Sequence, residues 1–369
     1  ELVGDVEFSG WTDEDLLRHP SFKGLREDKE PNEVVREKEQ KPPGTAPALG
    51  DVQPERQSTE PERRPMPKEQ DSERKIAGVA LSNPDRILYP EQGVTKRQIA
   101  RFYEQIADWV LPHVVQRPLT LVRCPRGRHK KCFYQKHLDE ALPDTMRGVP
   151  IKEKEGEGEY IAIDDLPGLI SLVQLGVLEI HPWGARDDNV ERPDMMVFDL
   201  DPDPDVEWAA VIRGAELLHE RLNELGLESF LKTTGGKGLH VVVPLVRRAG
   251  WDEVKAFSKA LAEETVKAEP KKYVATMSKA KRKGKIFVDY VRNSRGATSV
   301  AAYSTRAKPG APVSTPLRWD ELSTSLSADA YTIDNLPKRL SSLKEDPWAD
   351  FFKIRQSITK KIKKQLGLQ

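Results

Sequence analysis

The sequence predicts an α+β fold in which a largely antiparallel central sheet is flanked by helices. Three observations carry this expectation. Apolar runs of strand length mix with amphipathic segments without the regular βαβα alternation of a parallel sheet. Two of these runs, 230–234 and 239–243, are joined by a Gly-rich turn, as in a hairpin. Trp208, Val211, Ile212, Ala215, Leu218, Leu222 and Leu225 make one apolar stripe at helical spacing, the pattern of a helix that covers a core.

In chain order, residues 1–30 contain Trp11, Leu16, Leu17, Phe22 and Leu25, too few apolar groups for an independent core. From 31 to 75 there is no aromatic residue, and Pro, Glu, Lys, Gln and Arg dominate, so a disordered linker is expected. Residues 76–81 read as a short strand. Thr95 caps a helix that carries Ile99, Phe102, Tyr103, Ile106 and Val110 at helical spacing. Residues 119–123 form a strand, 124–131 a basic loop and 133–135 its return. A strand at 160–163 precedes a helix at 166–175, ended by Gly176, and a strand at 177–181. Asp205 is the expected cap of the striped helix, and 252–267 is a further helix. Strands follow at 286–290 and 299–303, and one basic helix over 346–369. The expected organisation is a terminal remnant at 1–30, a linker at 31–75, a catalytic domain at 76–335 and a helical tail at 336–369.

Lys+Arg and Asp+Glu balance at 59 each, so net charge alone points to no nucleic acid or membrane partner. No apolar run approaches the roughly 20 residues that span a bilayer. Cys124 and Cys132 form neither a CxxC pair nor a zinc quartet and read as reduced thiols of a cytoplasmic protein.

The chemistry concentrates in a few motifs. In MMVFDLDPD, 195–203, an apolar strand delivers Asp199 and Asp201 two positions apart, hence on one face. Two convergent carboxylates repel unless a cation sits between them; a strand followed by an Asp/Pro turn with solvated acids fits the segment equally well. Asp203 shares the parity, but Pro202 breaks the strand before it. In KTTGGKGLHVVVPL, 232–245, the glycines let backbone N–H groups approach an anion, and Thr234, Lys237 and His240 stand in the same neighbourhood. A hairpin turn with a surface lysine is the competing reading. Asp289 lies inside an apolar strand and needs a cation or donors, which makes it the natural third member beside Asp199 and Asp201; an ion pair with a nearby arginine is the alternative. Residues 271–308 carry eleven Lys/Arg against that one acid. This pattern suits a metal site served by a polyphosphate clamp and a nucleic-acid track. LEIHPWGAR, 178–186, sets His181 and Arg186 at a strand end. Arg86 and Lys96 flank a Pro/Gly turn that enters a helix N-terminus, a place for phosphate or for ordinary surface charge. Three carboxylates, a Gly-rich loop and a basic strand pair together spell two-metal nucleotidyl transfer with Mg²⁺ or Mn²⁺. A two-metal nuclease or phosphoesterase and a non-catalytic end-binding module are the alternatives.

LSNPDRILYP, FYQKH, EIHPWGAR, FDLDPD, TTGGKGLHV and KIFVDYVRNSRGATSVAAYSTR, in this order from about residue 77 to 335, resemble the polymerase domain of bacterial ligase D, of the archaeo-eukaryotic primase superfamily. The resemblance implies a primase-type catalytic fold that adds ribo- or deoxynucleotides to 3′ ends at DNA breaks and gaps in non-homologous end joining. It implies Asp199, Asp201 and Asp289 as ligands of the Mn²⁺ or Mg²⁺ pair. His181, Thr234, Lys237, Arg282 and Arg306 become contacts to the nucleoside triphosphate, with His240 in the same nucleotide-binding motif and Tyr134 as the ring that stacks on the incoming base. Arg86 and Lys96 would grip the 5′-phosphate of the downstream strand. Val122 stands where the family often has lysine. The implied partners are DNA ends and gaps with a 5′-phosphate, the bacterial Ku end-binding protein and a ligase domain in the same full-length chain, in a cytoplasmic, nucleoid-associated setting. RHPSFKGLREDK resembles the last motif of an ATP-dependent DNA ligase, with Arg26, Asp28 and Lys29 in register. The chain contains no Asp-Gly dipeptide, hence no Lys-x-Asp-Gly nucleophile motif, so no adenylation or sealing is expected.

Overall fold

The computed structural model describes residues 75–368 apart from 139–142 and 154–155, together with the strand backbones of 3–7, 10–11, 17–18 and 21–26. The chain divides into two units, Glu1–Arg64 and Pro65–Gln369. In the first, Val3–Glu7 pairs antiparallel with Ser21–Arg26, and Gly10–Trp11 with Leu17–Arg18. Apart from Lys75, the segment expected as a linker lies outside the described residues.

The second unit is built on two sheets. The first comprises β1 (Leu119–Arg123), β2 (Phe133–Gln135), β3 (Arg147–Glu153), β4 (Gly156–Ala162) and β5 (Val177–Pro182), ordered β2-β1-β4-β3 with β5 also on β1. The second comprises β6 (Met195–Pro202), β7 (Phe230–Thr233), β8 (Leu239–Pro244), β9 (Tyr273–Val274), β10 (Ile286–Asp289) and β11 (Pro316–Leu317), ordered β9-β10-β6-β8-β7-β11. Every pairing is antiparallel except β9 with β10. The main helices are α1 (Lys96–Gln105), α2 (Ala107–Val114), α3 (Leu166–Gln174), α4 (Trp208–Glu224) and α5 (Trp251–Ala268). The expected antiparallel α+β architecture is present.

Strand parity places the functional face. Met196, Phe198 and Leu200 of β6, Leu239, Val241 and Val243 of β8, and Ile286 and Val288 of β10 share one core with Leu218 and Leu222 of α4 and Phe257 and Leu261 of α5. Each such fully buried side chain contributes about 1.5–3 kcal/mol relative to exposure. The alternate residues must then face the other way. Val197 and Val242 join the core under the first sheet, whereas Asp199, Asp201, His240 and Asp289 form the polar end of that same face.

Several local expectations are corrected. Residues 76–81 are not one strand but a tight hairpin, Lys75–Ile76 against Val79–Ala80, turned by Ala77 and Gly78 at positive φ. The cap of α4 is Glu207, not Asp205, whose N–H instead donates to the Asp203 carboxylate. Residues 299–303 form no strand, because Tyr303 takes φ 64° and turns the chain. The tail is not one basic helix. Helices cover Leu336–Ser342 and Lys360–Gln365, and between them Trp348 and Phe351 stack at 4.8 Å with the Trp348 indole N–H on the Leu231 carbonyl. Two large buried rings at this spacing anchor the segment to the sheet rather than leave it a solvated helix.

Cys124 and Cys132 are joined in a disulfide, not reduced. Arg123 pairs with Phe133 across β1 and β2, so the two cysteines are the next facing positions of the same ladder, with Cα atoms 4.4 Å apart. Cysteine usage therefore gives no argument for a reducing compartment. Among the described residues no helix is long and apolar enough to cross a membrane.

Arg117 is fully buried and grips both oxygens of Asp194 at 2.7 and 2.6 Å. Removing Arg117 leaves the mostly buried Asp194 only the longer contact to Arg186, at 3.5 Å. Arg117→Met is expected to cost about 3 kcal/mol, the low end for a broken buried pair, in urea-unfolding experiments.

Candidate active site

The polar end of the second sheet opens into a cavity of about 280 Å³. It gathers seven of the expected residues, His181, Asp199, Asp201, Thr234, Lys237, His240 and Arg306, and adds Arg292 and Lys308. Asp199 faces His240 across one side of β6 and Asp289 across the other. The His240 Nε2 lies 3.4 Å from Asp199 Oδ1, and Arg292 reaches Asp199 Oδ2 at 3.4 Å and Asp289 Oδ2 at 3.2 Å. Asp289 also accepts from the Val291 N–H at 2.8 Å. Arg282 reaches Asp201 at 3.6 Å, its guanidinium lying 3.7 Å over the Phe287 ring.

Electrostatics separates the three acids. Burial works to raise the Asp199 carboxyl, but His240, Arg292 and Lys232 together hold it well below the ordinary carboxylate range. Asp201 is raised by burial and by the neighbouring Asp199 charge. Asp289 is raised by burial and by Asp199, against Arg292. Two of the three carboxyls are thus short of positive charge, which is the condition a cation relieves. Their hard oxygen donors suit a divalent metal. Among the described residues, no three His, Cys, Asp or Glu side chains converge closely enough to hold a metal as they stand, and Arg292 spans two of the acids. A metal held by the three would displace that guanidinium.

The Gly-rich turn forms the opposite wall. Thr234 Oγ1 donates to the Gly238 carbonyl at 3.0 Å and accepts from the Gly238 N–H at 3.2 Å, so its hydroxyl closes the loop. Gly235 takes φ +63°. Gly238 packs so tightly on β6 that a Cβ there would lie 2.0 Å from the Leu200 carbonyl oxygen. The loop is thereby pressed against the strand that bears both aspartates.

Glu179 organises the third wall. Two positions from His181 on β5, it accepts from His181 Nε2 at 2.8 Å and from the Ala307 N–H at 2.9 Å, and it pairs with Arg306 at 3.0 Å. Burial would raise this carboxyl, but His181 and Arg306 hold it down at about 2. Lys232, also buried, donates to Ser314 Oγ at 2.6 Å and stands cross-strand from His240, whose ring is pushed down to about 4 by burial and then by Lys232. The sequence singled out neither Glu179 nor Lys232, and it placed Arg292 and Lys308 only among the eleven bases of 271–308 read as a polyphosphate clamp and nucleic-acid track. Glu179 carried the signal that exposed Asp289, an acid inside an apolar strand.

The remaining expected residues lie elsewhere. Tyr134 is 76 % exposed on β2, opposite the buried Val122. Arg86 and Lys96 are adjacent, because the Lys96 N–H donates to the Arg86 carbonyl at 2.9 Å. The Lys96 ammonium is buried on the carbonyls of Ser82 and Gln174, both at 2.9 Å, and Arg86 donates to the Pro125 carbonyl at 2.9 Å. Burial and the Arg86 charge push Lys96 down to about 8.

The family described as LigD, primase-polymerase domain, matches residues 95–348. The chain belongs to the LigD primase-polymerase family. Membership makes it a nucleotidyltransferase of the primase-polymerase type, in a family that requires a divalent metal. Residues 1–29 match the ATP dependent DNA ligase C terminal region. The multifunctional non-homologous end joining protein LigD of Pseudomonas aeruginosa is 39% identical over 365 residues, which is 98% of this chain and 41% of that protein. Its namesake in Mycolicibacterium smegmatis is 34% identical over 246 residues, 66% of this chain and 32% of that protein. The chain thus spans less than half the length of these LigD relatives. The polymerase domain from Mycobacterium tuberculosis ligase D in complex with DNA superposes with a TM-score of 0.70 at 30% identity, covering 74% of this chain and 97% of that one.

Proposed function

We propose that this chain adds ribo- or deoxynucleotides to 3′ ends at DNA breaks and gaps, as the polymerase module of an end-joining protein that also carries a ligase domain. The observation that carries the reading is the cavity itself, with Asp199 and Asp201 on one wall and Lys237, Arg306 and Lys308 on another. A nucleoside triphosphate has the charge to lie across such a divide.

In this reading Lys237, Arg306 and Lys308 take the phosphate charge, and Glu179 keeps His181 and Arg306 aimed at it. Thr234 acts by shaping the loop. Tyr134, exposed on β2, offers a ring for the incoming base. Asp199, Asp201 and Asp289 would hold Mg²⁺ or Mn²⁺ as a two-metal site, which supplies a lowered pKa at the attacking 3′-hydroxyl and neutralisation of the triphosphate. Arg86 and Lys96 take the downstream 5′-phosphate, and the bacterial Ku end-binding protein would recruit the enzyme to ends in the nucleoid. Residues 1–29 lack the nucleophile motif and seal nothing by themselves. Incubation with ATP is expected to give no Lys-AMP adduct.

Primer extension on gapped DNA with nucleoside triphosphates and Mn²⁺ tests the reading, and shortening of the primer without extension would favour a nuclease. The 5′-phosphate site has a pH signature. A bound phosphate favours protonated Lys96, whose free value is about 8. Preference for a 5′-phosphorylated over an unphosphorylated gap is therefore expected to be full near pH 7 and to fall as pH rises through and above that value, by up to about tenfold per unit for one linked proton. The Arg86→Ala/Lys96→Met double variant, which keeps an aliphatic stem in the buried position, should lose that preference at every pH while extending a blunt primer end. Electrophoretic mobility shifts of the paired gaps read both effects.

A further inference from the structure

The N-terminal end of β6 borders a second cavity, of about 340 Å³, lined by Arg186, Asp194, Arg247, Phe352 and Arg355 among others. Asp194 immediately precedes β6 and stands about 17 Å along the strand direction from Asp199, at about 3.3 Å per residue. Neither the Gly-rich loop nor any of the three catalytic-site aspartates reaches it.

Its charge is unbalanced. Asp194 is already gripped through both oxygens by the buried Arg117, which leaves Arg186, 3.5 Å away, in excess. Arg247 pairs with Asp188 at the rim. Arg355 is exposed and, among the described residues, has no acidic partner. Four guanidinium groups thus meet two carboxylates, an excess of two positive charges at the cavity. Beside them Phe352 is 40 % exposed, held from behind by His113 at 5.1 Å, with the Arg186 guanidinium 6.0 Å from its ring centroid. Rigid guanidinium forks next to a fixed, half-bare aromatic ring match a phosphate attached to a planar base.

We propose that this cavity is a second nucleotide-binding site, which takes one nucleoside 5′-phosphate unit with its dianionic phosphate on Arg186, Arg247 and Arg355 and its base on Phe352. It has no paired carboxylates facing the phosphate, so it binds and does not react. The unit is either a free nucleotide or the 5′ end of a single strand, and the two share this chemistry.

The test is calorimetric titration of adenosine 5′-monophosphate into the full chain without divalent metal. Lys237→Ala/Arg306→Ala, combined with Arg86→Ala, removes the catalytic cleft and the proposed downstream 5′-phosphate site as competing phosphate sites. This variant is expected to bind the nucleotide, and adding Arg247→Glu and Arg355→Glu, both exposed positions, should weaken binding by about tenfold or more. Phe352→Ala should weaken it by about fivefold, adenosine should not bind measurably, and inorganic phosphate should bind more weakly than the nucleotide. A 5′-phosphorylated tetradeoxyadenylate that binds more tightly than the mononucleotide identifies the strand as the source; equal or weaker binding identifies the free nucleotide. Should the cleft variant fail to fold, photolabelling of the wild type with 8-azidoadenosine 5′-monophosphate replaces it, with label expected on the peptide containing Phe352. Nucleotide binding unchanged by Arg247→Glu/Arg355→Glu, no binding to the folded cleft variant, or label confined to the catalytic cleft overturns the proposal.

Discussion

Asp199→Ala/Asp201→Ala is expected to abolish primer extension, with a loss of about 10³-fold or more, while binding of gapped DNA changes little. Of the three aspartates Asp199 is the one held low, by His240, Arg292 and Lys232 against the effect of burial, and Asp201 beside it is raised by burial and by that charge. Removing both leaves the cleft with its cations and with only Asp289 of the three acids that would hold a divalent metal. A thousandfold loss corresponds to about 4 kcal/mol at the transition state. DNA affinity rests on phosphate contacts by Lys and Arg and is sequence-tolerant, so it should survive. Single-turnover extension and a filter-binding isotherm on one preparation separate the two. Wild-type protein that extends a primer beside a double variant that extends equally well would remove these aspartates from the chemistry.

The second large effect comes from a glycine of the loop, a residue with no side chain of its own to offer substrate. Gly238→Ala would place a Cβ 2.0 Å from the Leu200 carbonyl oxygen, and backbone cannot move aside as a side-chain tip can. Overpacking costs about 1–3 kcal/mol in stability, occasionally more. The loop must lift from β6, which carries Lys237 and the loop backbone away from Asp199 and Asp201. A displacement of about 1 Å can cost on the order of 10²-fold in rate. Gly284→Ala is the control for strain without a clash: Gly284 has positive φ, +66°, which Gly238 does not, and a Cβ there meets nothing within 4 Å. It should show backbone strain in urea unfolding and near-normal extension. Equal activity of the two variants would mean that the loop is not pinned to the strand.

Much of this site was legible because strand parity is local. The alternation in 195–201 places Asp199 and Asp201 together on one face, and Asp289 betrays itself as an acid within IFVD. The Gly-rich turn likewise announces its backbone conformation. Arg292 was not legible as a partner of Asp199, because that contact depends on β10 pairing beside β6 and on the turn after Asp289. The role of Glu179 depends on residues 128 apart meeting, as its bond to the Ala307 N–H does. The disulfide failed for a related reason. Spacing of eight matches no short cysteine motif, and only the register of β1 against β2 makes the two residues neighbours. The tail misled through composition: Lys-rich sequence suggested a solvated helix, while Trp348 and Phe351 anchor it in the core.

The measurement that bears most directly on the central claim is crystallographic. Crystals grown with Mn²⁺ and a non-hydrolysable nucleoside triphosphate should show anomalous scattering among Asp199, Asp201 and Asp289, with Arg292 withdrawn from between Asp199 and Asp289. Triphosphate density should lie against Lys237, Arg306 and Lys308. Manganese or triphosphate bound away from this cleft, with Arg292 still bridging the two aspartates, would contradict the account.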